Sequence, residues 1–345
     1  MTTVYFGTNR NPIPPRRPRD FGPGFGPDGF DNVRFGVAEV PDSSTDDITI
    51  EVFDESLDTK TAEGQRLGSK ALFATLQAKM AKHERDTMFY IHGFDFTFKE
   101  ALLRTAELKR WFGERPMNWL VFTWPSDGEK IPFKSYRNDR KDAAASGLAI
   151  ARGILKAADF VRSLRRPLVR PGEPRELALC EQRIHLMAHS MGAFALSNTV
   201  QAMRSFVGDQ LPRLFDEVLL MAGDADNNAL EETERLALLE RLGRRVSTYY
   251  NVQDLALVVS DWTKMNPDRL GATGPRRAEN LPPKFAQLNC SAVIDWEADQ
   301  TGHQYYRNNR RVLDDVLQVL DGVEDDKITG RVFRPDRNYY RLDES

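Results

Sequence analysis

The chain has 345 residues, 41% of them hydrophobic and 29% charged, which is enough apolar content for a large core and too much for general disorder. Its 48 basic and 51 acidic side chains leave a formal charge of −3, so there is no electrostatic case for nucleic acid as the main partner. Two widely separated cysteines, Cys180 and Cys290, build neither a disulfide framework nor a metal knuckle, so the fold must stand on its core. The opening MTTVYFGTNR lacks a basic stretch followed by an apolar one, the pattern of a secretory leader. A cytoplasmic location is the expectation.

Residues 11–30 hold six prolines and four glycines and read as an irregular arm, with Arg16, Arg17 and Arg19 as solvated charges. Val33–Val40 and Ile48–Phe53 alternate as strands, an antiparallel start to a sheet. Leu72, Leu76 and Met80, four apart, mark a helix face, and Thr87–Ile91 is a short apolar strand. Phe98, Leu102 and Leu108 lie on a second helix that ends near Trp111; Trp119–Thr123 is a strand, and Asp139–Leu164 a long alanine-rich helix.

Ile184–Ala188 is a strand, followed by a helix from about Gly192 to Phe206. The uncharged run from Ile184 to Met203 is as long as a membrane span, but its histidines, serines, Asn198 and Gln201 exclude that reading. Val218–Met221, Val246–Tyr250 and Ala292–Trp296 are expected strands, and Leu230–Leu242 and Asn308–Leu320 expected helices. Apolar strands alternating with amphipathic helices predict an α/β fold with a doubly wound, mostly parallel sheet. Residues 1–60 would form the arm and first strands, packed on a main domain at 61–322, with a tail at 323–345.

Ala188-His189-Ser190-Met191-Gly192 is the G-x-S-x-G pattern with alanine in its first position, preceded by a strand and followed by a helix. Small flanking residues let strand and helix approach closely, which leaves the serine oxygen exposed at a helix N-terminus. Serine needs a positioned base, and of the five histidines only His303 follows it, in the loop before the final helix. His83, His185 and His189 have bland placements near a helix end, inside a strand and off the elbow. Asp254, one strand before the histidine loop, is the candidate acid; Asp224 and Asp226 in MAGDAD are rivals. The turn His92-Gly93-Phe94 offers the Phe94 amide, and Met191 the second amide, as an oxyanion hole.

Together these segments resemble the bacterial α/β hydrolases of unknown function, through Thr8-Asn9-Arg10, His92-Gly93-Phe94, Trp124-Pro125-Ser126, the elbow at 188–192, Asp254-Leu255-Ala256-Leu257 with Ser260, and Gly302-His303-Gln304-Tyr305-Tyr306. The likeness spans nearly the whole chain except the arm and the last 20 or so residues. It favours Asp254 over Asp224 and implies esterase- or lipase-like hydrolysis, without naming a substrate. The expected reaction is carboxylic-ester cleavage by Ser190, His303 and Asp254 on a small-molecule or lipid-like acyl ester, with no metal or organic cofactor. Thioesterase, amidase and acyltransferase chemistry share this machinery, and an inactive binding protein of the same fold is the other alternative.

Gly223–Arg245 is too short for the usual cap insertion, which leaves the arm, Asp127–Tyr136 and Asp261–Phe285 to supply substrate contacts. His92, Phe94, Phe96, Trp124 and Tyr305 are pocket candidates.

Overall fold

The computed structural model describes all residues except 28, 43, 46, 54–55, 58–64, 127–131, 166–180, 258–267 and 344–345. Cys180, Ser260, residues 127–131 of the expected contact segment Asp127–Tyr136 and residues 261–267 of Asp261–Phe285 lie outside the described residues. The strands are β1 (Thr2–Thr8), β2 (Arg10–Ile13), β3 (Asp20–Phe25), β4 (Arg34–Val40), β5 (Thr49–Val52), β6 (Ser56–Leu57) and β7 (Gln65–Arg66), then β8 (Thr87–Ile91), β9 (Asn118–Thr123), β10 (Ile184–His189), β11 (Phe215–Met221), β12 (Gly243–Tyr250), β13 (Phe285–Asn289), β14 (Arg331–Arg334) and β15 (Tyr339–Leu342). The helices are α1 (Gly68–His83), α2 (Phe98–Trp111), α3 (Pro132–Arg165), α4 (Met191–Val207), the short α5 (Leu239–Leu242) and α6 (Leu270–Thr273), and α7 (Arg310–Leu320).

Eleven strands form one sheet in the order β14-β15-β13-β12-β11-β10-β8-β9-β1-β4-β5. From β15 to β1 every neighbouring pair is parallel, and antiparallel pairing appears only at the two edges. Strand side chains alternate between faces, and the core divides accordingly. Phe89, Ile91, Leu186, Ala188, Val218 and Leu220 face one apolar cluster with α1, α3 and α4. Met88, Tyr90, Met187, Leu219 and Met221 face the other, with α2 and α7. Both faces are covered, which is why the central strands read as continuous apolar runs.

Strand β8 leads through α2 to β9 on one side, whereas β10 leads through α4 to β11 on the other. The exit loops of β8 and β10 therefore diverge at a switch point, where open α/β sheets form ligand crevices. Among the described residues no helix is long and apolar enough to cross a membrane.

Three elements differ from the sequence expectation. The arm is not irregular throughout: β2 and β3 pair antiparallel, with Pro12 opposite Phe21. Proline is tolerated in an isolated two-stranded ribbon because one side of each strand needs no ladder donor. Arg16, Arg17 and Arg19 are exposed at its tip.

The expected strand at Ala292–Trp296 is instead β13 at Phe285–Asn289, followed by a 3-10 turn at Ser291–Val293. The buried polar Gln287 interrupts the apolar run of the true strand, and Trp296 is 40% exposed. The expected helix Leu230–Leu242 is a series of turns, with a 3-10 segment at Arg235–Leu238 running into α5. Its buried Leu236, Leu239 and Leu242 recur every three residues, the spacing of a 3-10 helix rather than an α-helix.

The hairpin β14–β15 is fixed to the sheet edge by a buried ion cluster. Asp315 accepts from Arg331 Nε at 2.6 Å, from Arg331 Nη2 at 2.8 Å and from the Tyr249 hydroxyl at 2.6 Å. Removing one partner leaves a buried charge behind. Asp315→Ala is expected to cost about 3–5 kcal/mol, whereas Asp315→Leu with Arg331→Met should recover most of that loss. Urea midpoints at constant slope check this; equal losses for the two variants would show that the ion pair is not what holds the edge.

Candidate active site

Ser190 is the residue between β10 and α4, with φ 54° and ψ −124°, a strained conformation for a side chain other than glycine. The surroundings fix that geometry. The Ser190 amide donates to Met221 O at 3.0 Å, and the Ser190 carbonyl accepts from Ala193 and Asp224 amides, both at 2.9 Å. A Cβ on Gly192 would stand 2.4 Å from Ile91 O and 2.7 Å from His92 O, so only glycine lets α4 cross β8 this closely. A Cβ on Gly93 would stand 3.0 Å from the Ser190 Cβ. The turn after β8 therefore lies directly against the elbow.

His303 and Asp254 meet in the same place. Nδ1 of His303 lies 2.6 Å from Asp254 Oδ2, with both side chains buried. A carboxylate only accepts, so Nδ1 carries the proton and Nε2 is left as the acceptor. Their two loops are bound to each other: Asn251 Nδ2 donates to Gly302 O at 2.9 Å, and Leu255 N donates to Thr301 O at 2.9 Å. Gly302 has φ +63°, and a Cβ there would stand 2.5 Å from Asn251 Nδ2. Asp254 also accepts from Leu257 N at 3.0 Å.

Ser190 and His303 line one cleft of about 700 Å³, with Phe94, Phe96, Tyr136, Leu257 and Asp224 among its walls and Arg104, Glu107, Gln304 and Arg307 along one side. The Ser190 hydroxyl makes no hydrogen bond to His303 in this structure, a contact that commonly tightens only with substrate bound. Neither the Phe94 nor the Met191 amide is paired with an acceptor among the described residues.

The rival acids are committed elsewhere. Asp224 accepts from the Tyr136 hydroxyl at 2.6 Å and pairs with Arg269 at 3.2 Å and Arg140 at 3.4 Å; Asp226 pairs with Arg269.

Three of the expected pocket residues stand behind the cleft instead of on it. His92 and Trp124 are fully buried and stacked on each other, ring centroids 5.0 Å apart at 9°. Tyr305 is buried and donates to Tyr249 O at 2.9 Å. Large aromatic surface is consumed by packing, and of the expected aromatic pocket residues Phe94 and Phe96 line the cleft. Tyr136, at the end of the segment expected to supply substrate contacts, lines the cleft; sequence reasoning missed Arg140, one helical turn on in α3, and the charged wall of Arg104 and Arg307.

Three histidines here are in different electrostatic situations. Burial disfavours charge on His303, but the Asp254 carboxylate, its hydrogen bond, and Asp224 and Asp299 outweigh it and raise the imidazole above 6.5. Burial, then the nearby His303 and Arg104, hold His189 well below 6.5. Burial and the Arg10 charge take His92 down to about 3.

The chain matches the family model described as alpha/beta hydrolase of unknown function (DUF900) over residues 69–163 and 176–320. It belongs to that α/β-hydrolase family. None of the curated proteins compared is significantly similar to it. Among solved structures it is similar to a lipase-esterase related protein from Clostridium acetobutylicum ATCC 824, at 13% identity over 59% of this chain and 73% of that one, with a TM-score of 0.22. A likeness that distant carries no functional weight. In this family member, an NMR titration of His303 should give a pKa above 6.5. The value should fall in Asp254→Asn, because the raising charge is lost while burial persists. An unchanged value would uncouple the two residues.

Proposed function

We propose that this α/β hydrolase cleaves carboxylic esters through an acyl-enzyme on Ser190, with His303 as base and Asp254 as its orienting acid. The observation that carries the reading is the buried Asp254–His303 hydrogen bond of 2.6 Å in the same cleft as a serine held at φ 54°. With Nδ1 protonated toward Asp254, Nε2 of His303 is free to take the serine proton. Ser190 Oγ then bonds to the substrate carbonyl carbon, and the carbonyl oxygen becomes an oxyanion. The amides of Phe94 and Met191 are the donors we assign to it.

Collapse of that intermediate breaks the bond to the leaving alkoxide, which takes the proton from His303 Nε2. Water repeats the sequence: it gives a proton to His303, attacks the acyl carbon, and releases the acid and Ser190. Met191 contributes through position, since the first amide of a helix has no partner within the helix and lies at the positive end of its dipole.

Ser190→Ala should abolish labelling by a fluorophosphonate probe and hydrolysis of p-nitrophenyl esters while leaving the fold intact. His303→Ala should fall to a similar level, and the double variant no further, because the two act as one unit. Asp254→Asn should lose on the order of 10⁴ in kcat, the precedent of the corresponding change in chymotrypsin. Asp224→Asn should lose far less.

The neutral imidazole is the active form, and its pKa is raised, so kcat/KM should climb with pH through an inflection above 6.5. Wild-type protein that neither labels nor turns over esters would overturn the reading. Matched thioester and anilide substrates test the choice of ester.

A further inference from the structure

The turn 92–97 carries the amide we assign to the oxyanion, yet it lies outside any helix or strand ladder and includes Asp95 at φ 64°. Irregular buried backbone must find its hydrogen-bond partners among side chains. Here those partners are identifiable. Trp124 Nε1 donates to His92 O at 3.0 Å, and His92 Nδ1 lies 2.8 Å from Gly93 O, so Nδ1 is the protonated nitrogen. Asp95 N donates to Asp139 Oδ2 at 3.3 Å, Phe96 N to Ser126 Oγ at 3.1 Å, and Thr97 N to Glu100 Oε2 at 2.8 Å. From Phe94 to Thr97, only the Phe94 amide has no acceptor among the described residues.

Arg10 closes this arrangement from the N-terminal hairpin. Its side chain is 1% exposed. Nη2 donates to Phe96 O at 2.6 Å and Nη1 to Ser126 O at 3.1 Å, so one guanidinium spans the turn after β8 and the segment after β9. The Ser126 hydroxyl in turn donates to the buried Asp139 on α3. Arg10 is itself held, because its amide donates to Thr8 Oγ1, which donates to Thr123 O at the end of β9. Neighbouring Asn9 reaches Ser146 on α3 at 3.0 Å.

We propose that Arg10, acting with Ser126 and Asp139, is a positioning residue for the oxyanion hole: its contacts to Phe96 O and Ser126 O fix the turn so that the Phe94 amide faces the cleft. The proposal rests on the serine-hydrolase reading above. The planar fork of arginine meets two carbonyls at once, which a lysine's single ammonium does not reproduce in the same geometry. Displacing a catalytic group by about 1 Å can cost on the order of 10² in rate, so the effect belongs in kcat.

The test compares wild type, Arg10→Met, Arg10→Lys and Ser126→Ala, with active sites counted by complete fluorophosphonate labelling so that misfolded protein is not scored. The expected result is kcat lower on the order of 10²-fold in Arg10→Met, with KM and the pH of the rising limb little changed. Arg10→Lys should restore only part of the loss. Ser126→Ala should fall in the same direction, and it decides the matter if Arg10→Met does not fold. Wild-type kcat per active site in Ser126→Ala and in every Arg10 variant that folds, or a loss confined to KM, overturns the positioning role while leaving the serine mechanism standing. A wild-type protein that does not label overturns both.

Discussion

The rest of the site depends on the close approach of α4 to the end of β8. With no side chain at Gly192, the first turn of α4 rests against the carbonyls of Ile91 and His92, and Gly93 presses against Ser190. This contact brings two exit loops of a parallel sheet to one point. It sets the strained φ of Ser190, because the chain must reverse from β10 into α4 within one residue. It also brings Phe94, in the turn after β8, to the wall of the cleft that Ser190 lines. A side chain at Gly192 would force α4 off the end of β8, and one at Gly93 would push the elbow back by a few tenths of an ångström, so Ser190 and its facing turn would separate.

Burial alone does not order the three histidines around this contact; their partners do. His92 and His189 each donate a ring N–H to a carbonyl oxygen, which accepts the hydrogen bond but brings no full charge to offset burial, and both are held below the ordinary imidazole pKa. His303 faces a carboxylate and is raised despite comparable burial. Two neutral imidazoles also limit the positive charge that would compete with a proton on His303. The site therefore provides one histidine whose pKa is raised above the ordinary imidazole value and two that serve as fixed, uncharged packing.

Much of this was legible in the sequence because the signals were local. The run Thr87–Ile91, the elbow at 188–192 and the spacing of Leu72, Leu76 and Met80 each report a backbone preference within a few residues, and each element stands where the pattern put it. Chain order alone led to His303, and the strand before it to Asp254. The misplacements have a common cause. The β13 strand hides behind Gln287, whose polar side chain is buried, and β2–β3 hides behind prolines that an isolated ribbon tolerates. Whether an aromatic ring lines a cleft or fills the layer behind it is set by neighbours remote in sequence, so His92, Trp124 and Tyr305 could not be distinguished from Phe94 and Phe96. Arg10, Ser126 and Asp139 come from a hairpin, a loop and a helix, and no spacing rule links them.

The two acids near His303 show why chain position and packing must be read together. Asp224 contributes to the raised pKa of His303, so it is within electrostatic reach, yet its oxygens are occupied by Tyr136, Arg140 and Arg269. A carboxylate neutralised by two arginines has little left to orient an imidazole, and reorienting it would leave the fully buried Arg269 with a weakened partner. Asp254 has the opposite surroundings: fully buried, bonded to the Leu257 amide on one oxygen and to His303 on the other. Among the described residues it pairs with no cation except the one His303 becomes when it takes a proton. Asp254 thus favours protonated His303 through both its charge and a direct hydrogen bond, whereas Asp224 acts on it through charge alone and holds α3 against the turn after β11.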